Sequence, residues 1–513
     1  MTIDVQWIPA KDAYACLLAP EFNKGRSKNI YQQIRKFSHL QSAQAFYKNP
    51  PKGAATMKIS PVDLNVTLDA VEKKLDEGAY RNDYEFTKDL SNVFSAFHDG
   101  HTVFYSDCAF PFGEYTHSYP LVSIVDPETD EQKYHVTNFT TGEIYDEIVE
   151  IAGQPPIQYL LGLLQSLKGP WETSWIDEDT RWNALFASRG VGLPDYGNFA
   201  ARDFYPGDGF TMKTRSGQVI EVEWYVQGPL GWSEQSRDWF RTVLQSTQTF
   251  YQQWCLVKED TPASNSSGAV VPHHADVAHY QPTVHRKLIK HLQRRQNFDT
   301  NWRKSLSPRD TNTELNLTDT PPSSSYPPVD RRMKGSEQTL HLMDTPHNDV
   351  AVWGIHSFDT TELAWDPANN EAFAQYWNQY TTESFQFLKG KGIKRLILDL
   401  SSNSGGMVYL GLDSVRKFFP SSSPFYGVDY RRSPLMDALS DYFNTSTVTT
   451  KLDGSSWKNE NERLNPPVEK QGDYFTKMER LNPLVDYFSL KPVPQEFGKP
   501  PFQLEDVVIV RNL

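Results

Sequence analysis

Two short segments of this chain carry residue types that can do chemistry together. AFHDGHTVFY (residues 96–105) sets His98, Asp99 and His101 around a glycine. A histidine on such a turn can titrate near neutrality and reach a substrate, so His101 is the candidate general base. LILDLSSNSGG (residues 396–406) runs an apolar strand pattern into Gly405 and Gly406. Their backbone N–H groups, exposed near a helix start, suit an oxyanion or a phosphate. A base and an anion cradle are two of the three parts of a serine-type acyl-transfer site. The third part, a nucleophile on a defined turn, is not evident. Each segment also has a plain structural reading, as a turn histidine and as a strand–helix turn that needs glycine.

Other chemistries fit less well. No GK[ST] follows the glycines, which weakens a phosphate loop, and the spacing is not GxGxxG. His98, Asp99 and His101 stand too close together to chelate without distant ligands, and no HExxH occurs, so neither a metal site nor a cofactor is expected. Ser402 and Ser404 sit on the glycine turn but lack the G-x-S-x-G elbow that exposes a nucleophile.

The elements that must position these residues follow from apolar spacing. Residues 11–110 read mainly as a helical block; Phe86, Leu90, Val93, Phe94 and Phe97 recur at helical steps. That last helix is expected to end at Asp99-Gly100, with His101 opening a strand. Residues 111–257 read as a β-rich module. Within it DEIVEIAGQPP (146–156) has a PDZ-like pattern, and Arg215-Ser216-Gly217 turns a hairpin. Residues 258–340, rich in Pro, Ser, Thr and Asn, read as a mobile insertion that trypsin-like enzymes would cut at Arg294-Arg295 and Arg331-Arg332. From 345 to 513, VAVWGIHSF, KRLILDL and DVVIVRNL are apolar runs of strand length separated by helical patterns. They predict one βαβ-type sheet with parallel pairing. ERLNPPV (462–468) and ERLNPLV (479–485) form a near-repeat without an assigned role. The fold class is therefore multidomain α/β: a helical block, a PDZ-like middle and an αβ catalytic core.

Bulk properties set outer limits. At 513 residues, several domains are expected. A net charge of −13 argues against nucleic acid as a partner, since that affinity depends on neutralising phosphates. No apolar run is long enough to span a membrane. Cys16, Cys108 and Cys255 allow at most one bridge plus one thiol, and their redox state is left open. MTIDVQWIPA lacks the regions of a signal peptide, while Asn65, Asn138, Asn265, Asn316 and Asn444 head N-x-S/T sequons, so localisation stays open.

HDGHT followed far downstream by LILDLSSNSGG resembles the tail-specific, or C-terminal-processing, serine peptidase family. The similar branch is that of the secreted bacterial protease-like activity factor and its fungal relatives. The resemblance implies a serine-type peptidase that acts on a peptide or protein substrate, with His101 as base and Gly405 and Gly406 as oxyanion donors. Fungal relatives include enzymes that process precursor peptides in secondary metabolism. In the family, the nucleophilic serine follows a strand like DVVIVRNL, so this chain is expected to stop before it. The alternative is a non-catalytic peptide-binding scaffold. Oligomeric state and cleavage specificity are not implied.

Overall fold

The computed structural model describes residues 7–52, 60–106, 108, 114–126, 128–138, 143–170, 172–187, 196–227, 242, 245–255, 329–333, 338–358, 367–401, 403, 405–419, 424–442, 449–481 and 503–510. The chain divides into two compact units. The first comprises residues 1–35, 56–188 and 193–322, the second 36–55, 189–192 and 323–513.

In the first unit, helix Leu64–Glu77 forms where Leu64, Leu68, Val71 and Leu75 fall on one buried face. Asp63 caps its start by accepting the Asn65 and Val66 N–H groups, and Gly78 ends it at φ 68°. Helix Asp83–Ser95 is capped by Asn82, which accepts the Glu85 N–H. Its Phe86, Leu90, Val93 and Phe94 are buried, as their spacing predicts.

Five antiparallel strands follow, paired in the order Leu121–Val125, Gln132–Thr137, Ile144–Ile151, Gly209–Thr214 and Val219–Glu223. Ala152 and Gly153 turn the chain at positive φ into helix Pro156–Ser166, whose Leu160 and Leu163 cover Ile148, Ile151, Met212 and Ile220. The last two strands are the hairpin expected around Arg215-Ser216-Gly217, with Gly217 at φ 90°. A disulfide joins Cys108 to Cys255 within an aromatic cluster that includes Tyr84, Tyr115 and Trp224, and Cys16 is a free thiol.

In the second unit, a five-stranded sheet has the order Arg331–Arg332, Gln338–Leu342, Val350–Ile355, Arg395–Asp399, Val507–Val510. The first three strands pair antiparallel and the last three parallel. The long helix Pro367–Gly390 makes the crossover between the two central strands, the βαβ unit read from the sequence. Trp353, Trp377, Phe385, Leu388, Leu396, Leu410 and Phe418 form the core between sheet and helices. Val507–Val510 is an edge strand: Val507 packs on the core, while Val508, Ile509 and Val510 are exposed.

One boundary needs correction. The stretch 258–340 was expected to be mobile, yet residues 331–332 and 338–340 are strands of this sheet. Met333, Gln338, Thr339 and Leu340 are wholly buried there, and Arg331 pairs with Glu383 at 3.0 Å. Arg331 is thus held against the sheet, whereas Arg332 stays exposed. The polar composition concealed a short hairpin whose apolar side meets the core. Residues 258–328 of that stretch, with Arg294-Arg295, lie outside the described residues.

Candidate active site

The HDGHT turn is built differently from its sequence reading. Helix Asp83–Ser95 stops at Ala96, and the left-handed residue is His98, at φ 50°, rather than Gly100. His98 is mostly buried and donates its Nδ1–H to the Thr173 carbonyl at 3.1 Å. Burial, and secondarily the Arg181 charge, holds its pKa below the ordinary histidine value. Residues 101–106 are not a strand. Asp99 prevents one: its carboxylate accepts the His101 N–H at 2.9 Å and the Thr102 hydroxyl at 2.7 Å, curling the chain into a side-chain-closed turn.

The result separates the two histidines. His98 anchors the turn, and His101 projects from it with its side chain 78% exposed and Nδ1 3.6 Å from Asp99 Oδ1. Gly100 lies close against Ser174, where a Cβ would come within 3.3 Å of the serine Cβ. The supporting segment is itself fixed by Glu172. That buried carboxylate accepts the Lys168, Gly169 and Asp203 N–H groups and pairs with Arg202 at 2.7 Å. His101 thus stands on a turn whose base is rigid.

In the second unit the glycine turn lies at the C-terminal end of the parallel strand Arg395–Asp399, the edge at which open α/β sheets place ligands. Gly405 and Gly406 have φ of 87° and 130°, a region closed to most side chains. Phe358 clamps the turn from the neighbouring strand end, donating to the Gly405 carbonyl at 2.7 Å and accepting the Met407 N–H at 3.0 Å. Asn403 bridges the two segments: its Nδ2–H donates to the Ile355 carbonyl and its Oδ1 accepts the Gly405 N–H at 2.8 Å. Among the described residues the Gly406 N–H has no acceptor, and helix Val408–Phe418 begins two residues later without a side-chain cap. Gly406 is the open donor here, whereas Gly405 offers its N–H only if Asn403 yields it. Ser402 and Ser404 lie outside the described residues.

His356 escaped the sequence reading. It is buried immediately after strand Val350–Ile355, and its Nδ1 lies 2.7 Å from the Ser401 carbonyl. A carbonyl only accepts, so Nδ1 carries the proton and a neutral ring keeps its lone pair on Nε2. A histidine where an apolar strand ends at its C-terminal edge was the available signal.

The structure places His101 in the first unit and Gly405 and Gly406 in the second. Among the described residues no group of three or more His, Cys, Asp or Glu is suited to a metal ion, and no helix is long and apolar enough to cross a membrane.

A family profile described as the CPAF-like PDZ domain matches residues 114–230, the span of the antiparallel sheet and its helix. The chain is 24% identical over 432 residues to the peptidase S41 family protein phomP1' of Diaporthe leptostromiformis, and 23% identical to phomP1 of the same fungus. Each alignment covers 80% of this chain and 54% of the relative, so the chain spans about half the length of the curated relatives it matches. Among solved structures it is similar to mature CPAF complexed with lactacystin, at 12% identity and a TM-score of 0.39 over 82% of this chain and 64% of the other. It is likewise similar to mature CPAF alone, at 13% identity, a TM-score of 0.39, and 82% and 63% coverage. Those two likenesses are too remote to carry residues across. The chain is thus similar to the CPAF-like PDZ domain over residues 114–230 and, along most of its length, to fungal proteins of the peptidase S41 family.

Proposed function

We propose that this chain contributes the base and the oxyanion turn of a serine-type peptidase. His101 takes the proton from the nucleophile and later returns it to the leaving amine. The Gly406 N–H, joined by Gly405 N–H when the Asn403 amide swings away, holds the developing oxyanion. The observation that carries this reading is the Gly405–Gly406 turn: positive φ, clamped by Phe358, with an open N–H at a helix start. The similarity to S41 peptidases supports it. The nucleophilic serine is assigned to no residue of this chain. Processing of a precursor peptide is the finer form of the same reading.

A second reading has its own support. The CPAF-like PDZ match favours peptide capture, with an extended peptide added to the edge strand Leu121–Val125 beyond Leu121, whose carbonyl already accepts the Ala187 N–H. Incubating the full-length gene product with a peptide library, read by mass spectrometry, separates the two. Cleavage that His101→Ala abolishes while folding is unchanged supports the peptidase. Peptide binding without cleavage, unaffected by that change, supports the scaffold and sinks the catalytic assignment.

A further inference from the structure

We propose that Asn65 carries an N-linked oligosaccharide. Two independent observations meet here. The first is the disulfide between Cys108 and Cys255, residues 147 apart in sequence and both buried in one core cluster. Such a bond forms and persists in oxidising compartments, and N-glycosylation belongs to the same export route. The second is the state of Asn65 itself. It heads Asn65-Val66-Thr67 in the first turn of helix Leu64–Glu77 and is exposed. Its backbone is engaged, the N–H with Asp63 and the carbonyl with Arg35, but its side-chain amide has no partner among the described residues. The adjoining Val66 is 63% exposed, an apolar surface that a sugar would cover.

The same chain supplies a contrast. Asn138 heads a sequon too, yet it is only half-exposed and its Nδ2 donates to the Tyr145 hydroxyl at 3.3 Å. A glycan there would break that bond. Asn265, Asn316 and Asn444 lie outside the described residues.

The order of events follows from Thr67. In the folded helix its hydroxyl donates to the Asp63 and Leu64 carbonyls, so it is not available to a transferase. The sugar is therefore added to the nascent chain before this helix closes. The Asn65 amide nitrogen attacks C1 of a lipid-diphosphate-linked oligosaccharide; the N–C1 bond forms and the C1–O bond to the lipid diphosphate breaks. One amide proton passes to the transferase base, and the lipid diphosphate leaves as the anion. Because the Asn65 side chain points to solvent, the finished fold accommodates the glycan.

The test uses the protein purified from the organism that makes it, with mass spectrometry before and after peptide-N-glycosidase. Conversion of Asn65 to Asp by that enzyme, with one free thiol at Cys16, is the expected result. Asn65→Gln and Thr67→Ala should each remove the modification at this residue, and Asn138→Gln should leave it. An unmodified Asn65 in protein whose Cys108–Cys255 bond is intact overturns the proposal. So does protein with three free thiols, because the compartment argument then fails. Neither outcome depends on peptidase activity.

Discussion

His356 and Ser401 are joined by a hydrogen bond of 2.7 Å from the imidazole Nδ1–H to the main-chain carbonyl, tying the ends of two adjacent parallel strands. The bond anchors the segment that carries Asn403, Gly405 and Gly406. It also sets the tautomer of a buried ring beside the proposed oxyanion turn.

Replacing that ring tests its contribution. His356→Phe fills similar space but leaves the Ser401 carbonyl without its donor, which should cost about 1–3 kcal/mol in urea unfolding. His356→Asn, which can still donate, should recover part of the loss. If the turn is the oxyanion site, His356→Phe should lower kcat with little change in KM.

Gly406→Ala probes the turn directly. A φ of 130° is strained for any residue with a Cβ, so the variant should lose about 1–3 kcal/mol or shift the turn. A displacement near 1 Å at a reacting carbonyl costs on the order of a hundredfold in turnover. Peptide hydrolysis at wild-type rates by a folded Gly406→Ala protein would remove Gly406 from the proposed site.

The buried His117 should make the first unit acid-sensitive. Its Nε2–H donates to the Phe199 carbonyl, its Nδ1 accepts the Tyr119 N–H, and aromatic rings of Phe199, Phe210 and Trp224 surround it. Desolvation lowers its pKa to about 3, opposed by the Phe199 carbonyl and aided by Arg202. In the unfolded chain the value is about 6.5. Between the two the unfolded state binds a proton that the folded state does not. This contribution is therefore complete above pH 6.5 and declines as pH falls, by about 1.4 kcal/mol per unit. Urea unfolding at pH 7.5 and 5.5 should show a smaller pH-dependent loss for His117→Phe than for the wild type.

The disulfide should matter for stability. Closing a loop of 147 residues is worth about 5 kcal/mol in chain entropy, and removing a native bond typically costs about 2–5 kcal/mol. The double variant Cys108→Ser, Cys255→Ser should unfold at a correspondingly lower denaturant midpoint. Reductant should move the wild type toward that midpoint and leave the variant unchanged.

Much of the frame was legible because it depends on spacing. The apolar steps of Phe86 to Phe97 and the run in Arg395–Asp399 allow few arrangements, and the parallel sheet followed. What escaped depends on contacts between distant residues. HDGHT does not reveal that Asp99 folds back on Thr102, nor that Thr173 captures His98. The near-repeat makes the point most sharply. The first ERL lies in helix Glu460–Leu464 and the second forms strand Glu479–Leu481. Identical triplets take different structures because the second pairs with neighbouring strands, and Arg463 of the first reaches Glu479 of the second in a buried ion pair. The two copies are partners in one contact, a relation that repetition alone does not disclose.

The Cys108–Cys255 bond has a topological consequence. Residues 114–230, the whole PDZ match, lie between the bridged cysteines, so the module is a covalently closed ring threaded into the chain at a single knot of sulfur. A protease that nicks the ring once opens it without releasing anything. Both ends stay attached through the bridge, and the cut chain still migrates as one molecule until a thiol reagent is added. Damage between the bridged cysteines would thus be invisible to denaturing electrophoresis without reductant, whereas a cut beyond Cys255 would give two bands.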